Sequence, residues 1–162
     1  MPVPRDPSPT RRRILIRSGE LAAGAALVSL VVPAPGRASP QAMQELVRSI
    51  IGEAELRPGK VTLDVPALVE NGNAVPLTVS VESPMTDTDH VKAIHIVNQK
   101  NPQPHVVAVT LGPRAGKARL STRIKLADTQ TVTAIAELSD GSFWSGSAEV
   151  IVTIAACVED LK

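Results

Sequence analysis

From Gly59 onwards the chain alternates apolar and polar residues one by one. Val61, Leu63 and Val65 are separated by Thr62 and Asp64, and Leu77, Val79 and Val81 by Thr78 and Ser80. A repeat of two puts successive side chains on opposite faces of an extended backbone, so each run has one apolar face that must be covered. Further runs of this kind occupy 91–98, 106–112, 118–126, 132–138 and 142 to about 156. Between them stand turn-forming clusters: Asn71-Gly72-Asn73, Ser83-Pro84, Asn101-Pro102-Gln103-Pro104, Gly112-Pro113-Arg114-Ala115-Gly116 and Asp140-Gly141. Asp-Gly between two alternating runs is a hairpin signal, because glycine supplies the positive φ of the tight turn. About seven short strands without intervening helices predict an all-β chain folded as an immunoglobulin-like antiparallel β-sandwich. With one Trp, one Phe and no Tyr, its core must be built from Val, Ile and Leu.

The pattern before Gly59 is different. Met43, Leu46, Val47, Ile50 and Ile51 fall at i, i+3, i+4, i+7 and i+8, the spacing of one helical face. Ser39 as N-cap with Pro40 in the first turn would start this helix, and Gly52 or Pro58-Gly59 would stop it. A short amphipathic helix in segment 39–58 is therefore expected ahead of the sandwich, which takes 59–156.

Charge divides the chain at about residue 38. Segment 1–38 holds six basic residues (Arg5, Arg11, Arg12, Arg13, Arg17, Arg37) and two acidic ones (Asp6, Glu20); removing these from the totals of 17 and 16 leaves 11 basic against 14 acidic. The basic part is followed by an apolar run over 21–32 and by Pro35-Gly36-Arg37-Ala38, the layout of a cleavable export signal. Twelve apolar residues fall short of the roughly 20 needed to span a bilayer as a helix, so no membrane anchor is expected in the mature form. Thr10-Arg11-Arg12-Arg13-Ile14-Leu15 is similar to the twin-arginine export motif, with Arg11 and Arg12 as its pair; an ordinary Arg-rich secretory signal is the alternative. Either reading places the mature protein, starting near Ser39, outside the cytoplasm.

The side chains offer little catalytic chemistry. A net charge of +1 with two aromatic residues gives neither the field nor the stacking surfaces for nucleic acid. There is no phosphate-cradling glycine loop, no Gly-x-Ser-x-Gly and no His-Glu-x-x-His. His90, His95 and His105 do not form a local ligand motif, so no metal ligand is assigned, and none of the three is assigned a catalytic role. Asp87 and Asp89 beside His90 read as a solvated connection between strands, and Trp144 beside Phe143 as core or interface packing. The single cysteine, Cys157, cannot close an internal disulfide. It is either an incidental residue or a reactive thiol, and its place just past the last apolar run favours access.

Several stretches, in order, resemble the SoxY family of sulfur-carrier subunits. They are Glu70-Asn71-Gly72-Asn73-Ala74-Val75-Pro76, Ser83-Pro84-Met85-Thr86, Ser121-Thr122-Arg123-Ile124, Thr129-Gln130 and Ser139-Asp140-Gly141-Ser142-Phe143-Trp144, ahead of the near-terminal Cys157. The resemblance implies a non-enzymatic periplasmic carrier in thiosulfate oxidation, holding sulfur intermediates covalently on Cys157 and needing no other cofactor. It implies a heterodimer with a SoxZ-like subunit. It also implies a haem-containing enzyme that conjugates thiosulfate, a hydrolase that releases sulfate and, as a further candidate, a sulfur dehydrogenase. In that family the cysteine lies in a Gly-Gly-Cys-Gly-Gly tail. Here Ala155, Ala156, Val158 and Glu159 stand in place of the glycines, in a tail taken as 157–162. A divergent interaction module that has lost the carrier role is the alternative.

Overall fold

The computed structural model describes residues 40–156. Helix α1 (Pro40–Ile51) is followed by strands β1 (Leu56–Pro58), β2 (Val61–Asp64), β3 (Leu68–Val69), β4 (Val75–Val81), β5 (Val91–Asn98), β6 (His105–Thr110), β7 (Arg119–Ile124), β8 (Gln130–Leu138) and β9 (Phe143–Val152). Seven of these nine strands are those announced by the alternation; β1 and β3 are additions. Segment 1–38, where an export signal with Arg11 and Arg12 is expected, and the tail 157–162 lie outside the described residues, as does Ser39. Among the described residues no helix is long and apolar enough to cross a membrane.

Two sheets face each other. The larger runs β1-β9-β8-β5-β6, with β3 also paired to β9, and the smaller runs β2-β4-β7. Pairing is antiparallel except where β1 and β3 lie parallel to β9, at Phe143–Ser145 and at Ile151–Val152. The immunoglobulin-like sandwich therefore stands as expected, with two short parallel strands added on one edge. These were illegible because three and two residues are too few to show a period. They cover the backbone groups that β9 would otherwise leave unpaired at its edge.

Between β1 and β3 the chain leaves the large sheet, joins β4 as β2, and returns. Gly146 permits that crossing: a Cβ there would sit 2.3 Å from the carbonyl oxygen of Val61. The β8–β9 hairpin turns at Asp140-Gly141, with Gly141 at φ +81° and the Asp140 carboxylate accepting from the Ser142 N–H at 2.8 Å. Those hydrogen bonds to Ser142 hold the Asp140 carboxyl below the ordinary range.

Two apolar cores lie on the two faces of the large sheet. Between the sheets, Val75, Leu77, Val79, Ile94, Ile96, Ile124, Val132, Ala134, Leu138 and Val150 are buried without an aromatic ring among them. On the outer face, Val97, Ile135 and Phe143 are covered by the partly buried Met43, Leu46, Val47, Ile50 and Ile51 of α1. The helix stops at the first of its two expected signals, where Gly52 takes φ +61° and donates to the Arg48 carbonyl at 2.8 Å.

Candidate functional site

The last strand ends earlier than the apolar run suggests. After Val152 the chain leaves regular pairing, and a set of backbone bonds takes over. The Thr153 N–H donates to the Val69 carbonyl (3.0 Å) and the Ile154 N–H to that of Glu70 (3.2 Å). Gly72 then clamps the segment. Its N–H donates to the Ile154 carbonyl at 2.8 Å, its carbonyl accepts from the Leu126 N–H at 2.8 Å, and the Leu126 carbonyl accepts from the Ala156 N–H at 3.0 Å. A Cβ at residue 72 would lie 2.3 Å from the Leu126 oxygen and 2.8 Å from the Ala156 nitrogen, so only glycine fits.

Polar side chains brace this end. Asn71 Oδ1 accepts from the Asn73 N–H at 2.9 Å and shapes the turn Gly72–Ala74. Thr129 Oγ1 accepts from the Val152 N–H at 3.0 Å. Gln130 Oε1 accepts from the Lys100 N–H at 2.8 Å, and its amide nitrogen donates to Asn101 Oδ1 at 2.9 Å. Asn101 in turn bonds the Lys125 carbonyl and the Ala127 N–H. Lys100 Nζ reaches Asp128 at 2.9 Å, and that bond, with the Thr129 N–H, keeps the Asp128 carboxyl low.

Of the tail residues named from sequence, Ala155 is exposed and Ala156 is buried, only 6% exposed. Cys157, Val158 and Glu159 lie outside the described residues, but Cys157 is bonded to Ala156 and so starts from this clamp. Among the described residues three large apolar side chains face solvent: Leu68 (60% exposed), its β9 partner Ile151 (50%) and Ile154 (66%).

Elsewhere the structure separates what the sequence grouped. His90 packs at the opposite end of β8, its Nδ1 3.1 Å from the Thr86 carbonyl and its N–H donating to Ser139 Oγ. Trp144 is half-buried, with the Lys60 ammonium 4.7 Å from its ring centre and its indole N–H donating to Ser142 Oγ. His95 and His105 do come together, 3.2 Å apart between Nδ1 and Nε2. Burial, then the neighbouring His105, push His95 below the ordinary imidazole value, while Glu137 acts the other way. Among the described residues no three His, Cys, Asp or Glu side chains gather as a metal group. Sequence reasoning missed both Gly72 as a clamp and the histidine contact. The contact is diagonal: His105 pairs with Val97, two residues along β5 from His95, beside a register shift that the sequence does not announce.

Fold and tail root together define a β-sandwich protein that fixes its C-terminal segment at one end of the sandwich. The sequence pattern of the SoxY family, described as sulfur oxidation protein SoxY, matches residues 47–157, and the chain belongs to that family. Among solved structures it is similar to the sulfur carrier protein SoxY from Chlorobium limicola f thiosulfatophilum, at 25% identity and a TM-score of 0.61, over 72% of this chain and all of that one. A superoxide reductase (neelaredoxin) from Ignicoccus hospitalis shares the fold alone, at 17% identity and a TM-score of 0.52, over 58% of this chain and 80% of its own. No curated protein matches.

Proposed function

We propose that this protein is a periplasmic covalent carrier of sulfur intermediates, with Cys157 as the attachment site, working as a heterodimer with a SoxZ-like subunit. The observation that carries the reading is that the family match runs through to Cys157, the residue that follows the clamped Ala156. A thiolate that holds its cargo through an S–S bond needs to be accessible and needs no second thiol nearby to discharge it. The chain's single cysteine meets the second condition. In the loading step the Cys157 thiolate joins the outer sulfur of thiosulfate, and the two electrons released pass to a haem-containing enzyme. Water, activated by a hydrolase, then attacks the sulfonate sulfur and breaks its bond to the sulfane sulfur, so that sulfate and two protons are released and a persulfide stays on Cys157; a sulfur dehydrogenase is the candidate for oxidising it further. This chain presents the substrate and does none of the chemistry. Segment 1–38 serves as the twin-arginine signal through Arg11 and Arg12, and the mature protein is composed of the helical segment, the sandwich and the tail.

Ala156 favours a second reading, a module that keeps its interfaces but has lost the cargo. Its buried methyl stands where the family has a glycine, which narrows the backbone freedom next to the thiol. Mass spectrometry of protein recovered from thiosulfate-grown cells separates the two. Thiosulfonate or persulfide adducts on Cys157, absent from Cys157→Ser, support the carrier; an unmodified thiol under conditions that load a control carrier supports the module.

A further inference from the structure

His95 on β5 and His105 at the start of β6 point ring nitrogens at each other on the large sheet, near the edge that β6 forms. Neither takes part in the tail site. Their ring centres are 5.4 Å apart with the planes inclined by 33°. This is close to a head-on arrangement, in which one ring donates its N–H to the lone pair of the other. Two imidazoles held this close can also both turn a ring nitrogen toward one cation with a preference for nitrogen.

A metal cannot sit on that short line; it would stand to one side of it, with both rings turned so that their lone pairs converge. With metal–nitrogen bonds of about 2.05 Å, nitrogens 3.2 Å apart subtend roughly 100° at the metal, between the square-planar and tetrahedral angles. Both strands belong to a paired sheet, so the chelating atoms are held by backbone that is already ordered. One carboxylate lies on the neighbouring strand. Glu137 on β8 pairs with Ala93, which puts it diagonally across from His95, and its carboxylate is at present neutralised by the Lys92 ammonium.

We propose that His95 Nδ1 and His105 Nε2 form a two-histidine chelate for a borderline transition-metal dication such as Zn2+ or Cu2+, with water completing the coordination. On binding, the ring that now donates moves its proton to its other nitrogen, so the neutral pair takes up the metal without net proton release. The site is independent of Cys157 and of the carrier reading.

The test uses the full chain carrying Cys157→Ser, so that the thiol cannot compete for metal. Calorimetric titration with Zn2+ should give one site per chain. His95→Ala and His105→Ala should each weaken it at least about tenfold, some 1.4 kcal/mol, whereas His90→Ala should leave it unchanged. With Cu2+, electron paramagnetic resonance should show hyperfine coupling from two nitrogens, lost in either variant. Glu137→Gln should weaken binding less than loss of either ring. Absence of saturation below about 1 mM Zn2+, or binding that survives both histidine substitutions, would overturn the site. Circular dichroism of each variant establishes that the sheet has folded, so a loss of metal is not read from an unfolded chain.

Discussion

The large sheet has an apolar layer on each face, and the two layers are unequal. Between the sheets, side chains from β4, β5, β8 and β9 are fully buried against one another, locked by strand pairings on both sides. On the outer face three buried residues meet a helix whose own apolar residues remain partly exposed. A twelve-residue helix is marginal alone in water and depends on that contact. The difference teaches that the sandwich carries the fold, while α1 is held to it by a thinner seam that opens more easily.

Substitutions on the two faces test that inequality. The largest effect is expected from Ile94→Ala, which opens a cavity in the inner layer and should cost about 3–4 kcal/mol by denaturant melts. Next comes Gly146→Ala at about 2 kcal/mol, because the new methyl meets the Val61 carbonyl where the chain passes between sheets. Leu46→Ala in the helix seam should cost only about 1 kcal/mol, and amide exchange should speed up in α1 while β5 and β8 stay protected. Equal costs for Ile94→Ala and Leu46→Ala would abolish the distinction. The smallest effect concerns the hairpin turn. Because the folded Asp140 has its pKa below the ordinary value, its contribution is present above the unfolded value near 3.8 and fades as pH falls through the folded one. Asp140→Asn should therefore melt slightly below the wild type at pH 7, and the gap should close on acidification.

The sandwich was legible because alternation survives wherever one face of a strand is buried. Leu77 to Val81 alternates cleanly and falls within β4, which starts two residues earlier, and Asp140-Gly141 makes the hairpin it announces. Leu56–Pro58 and Leu68–Val69 carry no pattern; their pairing is decided by the edge of β9, a partner nearly ninety residues away. The tail root was hidden for a related reason. The apolar run through Ile154, Ala155 and Ala156 reads as a continuing strand, and only the packed backbone around Gly72 explains why pairing stops at Val152. Several of the stretches that marked the family acquire a physical reason here, since Gly72 and Thr129 both hold the segment that leads to Cys157.

The clamp at Gly72 also sets a length. Ala156 is hydrogen-bonded to the sandwich, and the next Cα is about 3.8 Å further along. Adding a cysteine side chain and one S–S bond, a sulfur held as proposed on Cys157 would stay within roughly 10 Å of that fixed point. If Cys157 is the attachment site proposed above, a tether so short would not reach the bottom of a deep channel. On the proposed carrier reading, an enzyme acting on that sulfur would have to approach the sandwich itself, at the end where Ile154 is exposed.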